Sequence, residues 1–189
     1  MRKVVLFAHI SLNGFAGDIH GGLNFLTYDD ELQKYADEVV TTVGACLYGR
    51  TTYQLMEGYW PTELNNPNAD RHTLEHAQWV QDIPKIVFST TLNDVTWNNT
   101  TLIKENIVEE VNRLKQQPGK DLVIFGSPGL AKYLMTLGLI DEYKLTLHPV
   151  ILGSGISQFN SNVAFGSLKL IKTKTLGSGV ITLNYEVVK

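Results

Sequence analysis

Two kinds of hydrophobic pattern alternate along this chain. Short unbroken apolar runs occur at Lys3–Ala8, Ala45–Tyr48, Lys85–Phe88, Leu102–Ile103, Leu122–Phe125 and Tyr143–His148. Runs of this kind, bounded by glycine or polar residues, predict strands covered on both faces. Between them the apolar positions take helical spacing. Leu32, Tyr35, Ala36, Val39, Val40 and Val43 form one stripe over three turns, with Asp29 and Asp30 placed to cap its start. Ile107, Val108, Val111 and Leu114 form a second stripe, closed by Gln116-Gln117-Pro118-Gly119, and Leu130, Ala131, Leu134 and Leu137 a third, ended by Gly138. From Gly58 to Arg71, Trp60-Pro61 and Asn65-Asn66-Pro67-Asn68 break any period and predict a long loop. Two last segments, Leu168–Leu176 and Val180–Val187, flank Gly177-Ser178-Gly179 and predict an antiparallel hairpin. The whole reads as an α/β fold: a central, mostly parallel mixed sheet flanked by helices, with a C-terminal antiparallel β-hairpin.

Length and charge narrow the picture. A chain of 189 residues suits a single domain over residues 1–189, large enough to bury most of its apolar surface. With 43% apolar residues, 19% charged residues and a formal charge of −3, it offers no basic face for nucleic acid or for anionic membrane surfaces, and neither is expected as a partner. A lone cysteine, Cys46, allows neither an internal disulfide nor a cysteine metal cluster, so a reducing, cytoplasmic setting is expected. The apolar run after Met1-Arg2-Lys3 stops at His9, too short for a secretory leader, and reads as the first strand.

Two segments carry candidate chemistry. Leu47-Tyr48-Gly49-Arg50-Thr51-Thr52-Tyr53 passes from a strand into a helix through a glycine. A helix starting there aims unpaired N–H groups and its positive dipole end at whatever lies above the strand, a setting suited to phosphate. Gly49 permits close approach, Arg50 adds a permanent charge and the Thr51 and Thr52 hydroxyls can donate. A plain strand–turn–helix capped by threonine explains the same residues. Leu122-Val123-Ile124-Phe125-Gly126-Ser127-Pro128-Gly129-Leu130 repeats the pattern, with Pro128 suited to a first helical turn. Two such turns at strand carboxyl ends can grip the two phosphates of one dinucleotide; neither is G-x-G-x-x-G, which argues against a Rossmann domain.

These segments, together with Ser11-Leu12-Asn13-Gly14-Phe15, Leu114 to Asp121, Gly138-Leu139-Ile140-Asp141-Glu142-Tyr143 and His148-Pro149-Val150-Ile151-Leu152-Gly153-Ser154-Gly155, make the chain similar to a known family over nearly its whole length. It resembles the family that shares the reductase domain of the bifunctional riboflavin-pathway protein RibD, whose fold resembles dihydrofolate reductase. The resemblance implies an NADPH-dependent reductase that transfers hydride to a small heterocyclic substrate, and a homodimer. It places the nicotinamide near Ala8 to Ile10, and the pyrophosphate at Gly49, Arg50, Thr51 and Thr52 with Gly126, Ser127, Gly129 and Leu130. The adenosine 2′-phosphate falls at Phe88-Ser89-Thr90-Thr91.

This chain departs from the family pattern at two places. Residues 88–91 supply only the hydroxyls of Ser89, Thr90 and Thr91 where dihydrofolate reductases place an arginine, which leaves NADH open as the alternative cofactor unless Arg50 or Lys104 substitutes. Asn13 stands where relatives carry aspartate, so a proton-handling role there would be lost. The catalytic group is thus unassigned, with Asn13 and Asp30 as candidates; Asp29, Asp30 and Glu31 also read simply as acids at a helix start. Ser11, Tyr53, Tyr59 and Trp60 are candidates to bind or wall a planar substrate. No metal site is expected: His72 and His76 have helical spacing but no third ligand, and His148 reads as an ordinary hydrogen-bonded histidine. Two other functions stay open, a true dihydrofolate reductase and a non-catalytic dinucleotide-binding module.

Overall fold

The computed structural model describes residues 1–159 and 166–188. In chain order the elements are β1 (Val4–Ser11), β2 (Phe15–Gly17), α1 (Asp30–Val40), β3 (Val43–Gly49), α2 (Arg50–Glu63), α3 (Arg71–Asp82), β4 (Lys85–Phe88), β5 (Thr100–Ile103), α4 (Ile107–Gln116), β6 (Asp121–Phe125), α5 (Pro128–Thr136), β7 (Glu142–His148), β8 (Ile156–Ser157), β9 (Leu168–Thr175) and β10 (Ile181–Val187). Eight strands form one sheet in the order β5-β4-β3-β6-β1-β7-β10-β9, and β2 pairs with β8 outside it. The strands from β5 to β7 are mutually parallel, and β10 and β9 continue the sheet antiparallel.

Both faces of the parallel part of the sheet are covered, as the unbroken apolar runs require. Along β1, Val4, Leu6, Ala8 and Ile10 join one core with Val111 and Leu114 of α4 and Leu130 and Leu134 of α5. Val5 and Phe7 point the other way, into a core with Leu32 and Val39 of α1, Tyr53 of α2 and Val80 of α3. That period-two alternation decides which β1 residues can reach a ligand.

Two expectations need correction. The long loop from Gly58 to Arg71 shrinks to residues 64–70, because α2 runs through Pro61 to Glu63. Tyr53, Met56 and Trp60 bring the helix down onto its core, and that burial outweighs the hydrogen bond Pro61 forgoes near the helix end. Helix α3 follows, its start capped by Asp70, which accepts from Thr73 N–H at 2.7 Å. Val43, counted in the first helical stripe, instead opens β3, since α1 ends at Val40.

Candidate active site

The parallel strands β3 and β6 are neighbours, yet their following helices leave in opposite directions. Helix α2 packs on one face of the sheet and α5 on the other. A crevice must open where such connections diverge, at the strands' carboxyl ends. A cleft of about 1010 Å³ lies there. Its wall includes Gly49, Arg50, Thr51 and Thr52 from the β3–α2 turn, Gly126, Ser127, Gly129 and Leu130 from the β6–α5 turn, and Ser89, Thr90 and Thr91 after β4. All three segments singled out in the sequence therefore meet in one place.

The two helix starts are tied together. Gly49 N–H donates to Ser127 Oγ at 2.9 Å. A Cβ on Gly49 would stand 3.3 Å from that oxygen and 3.5 Å from Leu130 Cβ, so this close approach favours glycine. Gly126 and Ser127 both take left-handed backbone, at φ +58° and +42°. For serine this conformation is strained, at a cost of order 1–3 kcal/mol, and the Gly49 bond helps to hold it. Neither helix start has a side-chain cap. The N–H groups of Arg50, Thr51 and Thr52, and of Gly129 and Leu130, consequently have no carbonyl ahead of them in their own helix. Beyond Gly126 and Gly129 a Cβ would meet nothing within 4 Å. The Arg50 guanidinium donates to Thr91 Oγ1 at 3.0 Å, bridging the α2 start to the segment after β4. Ser89 Oγ is engaged locally, accepting from Thr91 and Leu92 N–H at 3.2 and 3.1 Å.

Several expected residues lie elsewhere. Ala8 and Ile10 turn their side chains into the core, and the cleft wall receives Phe7 and His9 instead. Ser11 is fully buried; its Oγ donates to Asn13 Oδ1 at 2.9 Å and accepts from Phe15 N–H at 3.0 Å. Asn13 itself is a clamp: its Nδ2 donates to Leu152 O at 2.7 Å while Oδ1 accepts from Leu152 N–H at 3.1 Å. Tyr53 is only 2% exposed, its hydroxyl donating to Glu57 at 2.7 Å and accepting from Thr96 and Trp97 N–H, each at 3.2 Å. Trp60 is half-buried against Met56 and His76 and does not line the cleft. Helical phase is the reason, since it points Leu55 and Met56 at the cleft and Tyr53 at the core.

Nor do the acids at the start of α1 reach the cleft. Asp29 caps the helix by accepting from Leu32 N–H at 2.9 Å, Asp30 is exposed, and Glu31 accepts from Gly177 N–H at 2.6 Å and Lys174 at 3.2 Å. Asp29 and Glu31 are thus engaged in holding the start of α1, and none of the three acids lines the cleft. His72 sits 3.0 Å from Asp37, and His76 lies between Trp60 and Trp79. His148 is fully buried.

The cleft also holds His20, Leu23, Ile107, Lys132 and Tyr133, which the sequence gave no reason to choose, and His9, which lies within the Ala8-to-Ile10 stretch but was not singled out. His9 had one legible signal: it shares a face with Phe7 at the carboxyl end of a buried strand. A smaller recess of about 320 Å³ lies among Arg2, Lys3, Asp141 and Glu186. Ion pairs occupy its charges, Lys3 with Glu142 and Glu186, and Lys115 with Asp141 at 2.7 Å.

Comparison with known proteins agrees with this architecture. The Bacillus subtilis (strain 168) protein YyaP, itself uncharacterised, is 33% identical over 185 residues, covering 98% of this chain and 95% of its own. A putative riboflavin biosynthesis protein from Shewanella sp. PV-4 superposes with a TM-score of 0.79 at 20% identity over 99% of each chain. The dihydrofolate reductase of Enterococcus faecalis, complexed with NADP(H) and RAB-propyl, does so at 0.65 and 14% identity over 99% of this chain and 97% of its own. The dihydrofolate-reductase-like fold is thereby shown. Since residues 2–182 match the pattern of the RibD C-terminal domain, this chain belongs to the RibD C-terminal domain family.

Proposed function

We propose that this protein is an NADPH-dependent reductase that transfers hydride to a small heterocyclic substrate, and that it works as a homodimer. The observation that carries the reading is the meeting of two uncapped helix starts, bonded through Gly49 and Ser127, at one cleft beside Arg50. The donor set fits a diphosphate: Arg50, Thr51, Thr52, Gly129 and Leu130, whose first-turn amides lack helical partners, all line the cleft, and open space lies above Gly126 and Gly129. Arg50, placed by its bond to Thr91, supplies the cation that Ser89, Thr90 and Thr91 lack, which favours NADPH over NADH.

When bound, the nicotinamide supplies hydride to an electrophilic C=N or C=O. The chain's part is chiefly alignment. Phe7, Leu23, Leu55, Met56 and Phe125 provide an apolar wall that excludes water and holds flat rings in register. Since Asn13, Asp29, Asp30 and Glu31 stand away from this wall, none of them relays a proton to a substrate there, and the proton comes from water or from a group on the wall itself.

Measuring NADPH oxidation against dihydrofolate and against a ribosylaminopyrimidine tests the reading. Turnover of the pyrimidine is expected. Preference for dihydrofolate would make the protein a folate reductase, and cofactor binding without turnover over a broad heterocycle panel would leave a dinucleotide-binding module.

A further inference from the structure

His9 is half enclosed by aromatic rings. Phe7, His148 and Tyr28 pack edge-on around it, at 5.2, 5.8 and 6.2 Å between ring centroids. On β7, Thr146 stands directly opposite His9 in the ladder, and its Oγ1 lies 2.6 Å from His9 Nδ1. The same hydroxyl is 3.3 Å from His148 Nε2, and His148 Nδ1 is 3.4 Å from the backbone N–H of Thr27.

The hydrogens in this chain can be placed from its far end. A backbone N–H can only donate, so His148 Nδ1 accepts and the neutral His148 ring carries its proton on Nε2. That N–H donates to Thr146 Oγ1, and the hydroxyl's own hydrogen then goes to His9 Nδ1. With Nδ1 accepting, the neutral His9 ring must hold its proton on Nε2. Among the described residues nothing accepts that N–H, and His9 is part of the cleft wall. A histidine serving only the core would have both ring nitrogens satisfied.

We propose that His9 is a specificity-determining residue whose neutral Nε2–H, oriented by Thr146 and His148, donates to an acceptor atom of the bound heterocycle, a carbonyl oxygen or an unprotonated ring nitrogen. The ligand half of this inference rests on the reductase reading of the cleft; the tautomer half does not. The titratable groups facing the ring are Tyr28, from the segment before α1, and His148, from β7. Burial, and then the proximity of His148, push His9 down to about 4, so at neutral pH the ring is a donor through one nitrogen and not a cation. A donor in this position rejects analogues that lack the matching acceptor, because its N–H would then be left unpaired in a closed site.

Two measurements test this. Long-range nitrogen–proton NMR of histidine-labelled protein, with His9 assigned through His9→Gln, is expected to show a neutral Nε2–H ring at pH 7 and a mixture of tautomers in Thr146→Val. A Nδ1–H or cationic ring in the native protein overturns the proposal whatever the protein catalyses. Calorimetry with 5,6-diaminouracil in the presence of NADP⁺ tests the ligand half. His9→Leu is expected to weaken binding about 10- to 100-fold, as loss of one buried donor predicts, and His9→Gln, which keeps an N–H, to retain most of it. Equal binding by the leucine variant, or no binding by the native protein, overturns the role of His9. Hydride transfer measured in parallel separates the two readings. Turnover with KM unmoved in His9→Leu removes His9 and leaves the reductase, whereas His9-dependent binding without turnover does the reverse.

Discussion

Arg50 leaves the first turn of α2 and spans to Thr91, so a single side chain can serve both the diphosphate and the segment after β4. Arg50→Ala is expected to weaken NADPH binding by about 1–3 kcal/mol, the worth of a charged hydrogen bond, in a titration that leaves thermal stability unchanged. Unaltered affinity would remove the phosphates from this turn. Gly129 separates binding from folding in another way. A Cβ there meets nothing in the protein, so Gly129→Ala should fold at least as well as the native chain while crowding the diphosphate, and lose NADPH affinity about tenfold, or 1.4 kcal/mol. Asn13→Asp is the third case at this scale. The substitution restores the residue that the family pattern carries, but deletes the Nδ2 donation to Leu152 O and sets a carboxylate beside that carbonyl. Its expected effect is a loss of about 1 kcal/mol in denaturant unfolding with no gain in turnover. The turns holding Arg50 and Gly129 were legible because a strand, a glycine and a helix start follow one another in sequence. Asn13's true partner was not, because Leu152 lies 139 positions along the chain.

Helices α2 and α3 show what local pattern cannot supply. Trp60-Pro61 reads as a stop, yet α2 continues because Met56 and Trp60 lie against aromatic and aliphatic neighbours that no window of sequence contains. The contact between the two helices centres on His76, whose ring is 4.5 Å from Trp60 and 5.2 Å from Trp79. Burial, reinforced by nearby His72 and only partly opposed by Asp37, lowers His76 to about 4. In the unfolded chain the same group takes its proton near 6.5. Between those values the unfolded state binds a proton that the folded state refuses, so stability is fully present above 6.5 and is lost as pH falls toward 4. Thermal unfolding followed from pH 7 downward should show this fall, and His76→Gln should flatten part of it. A variant with the native pH profile would mean that His76 takes its proton as readily in the fold as in the unfolded chain. By contrast, each strand of the parallel sheet was located in the sequence, because burial on both faces leaves an apolar run that few other elements share, although β1 runs on to Ser11 and β5 begins at Thr100, beyond the apolar runs that marked them.

At the scale of the molecule, the parallel order from β5 to β7 creates the cleft, and the antiparallel extension through β10 to β9 creates a different surface. Strand β9 is exposed along its full length. Leu168, Leu170 and Ile171 are 46%, 48% and 55% exposed, and Leu170 and Ile171 fall where β9 and β10 slip register. An exposed edge strand bearing large apolar side chains is a template for further pairing, and the neighbouring Lys169, Lys172 and Lys174 oppose open-ended growth without covering those side chains. A second copy meeting this edge about a two-fold axis would bury the apolar residues and close the sheet's free side in a single event. Light scattering after gel filtration should therefore report a dimer, and Leu170→Lys combined with Ile171→Lys should give a folded monomer with NADPH affinity intact, because β9 lies three strands from β1 and five from β3 in the sheet order. A monomeric native protein would remove the homodimer from the proposed function and leave the cleft as argued. A dimer indifferent to both lysines would move the interface to another face.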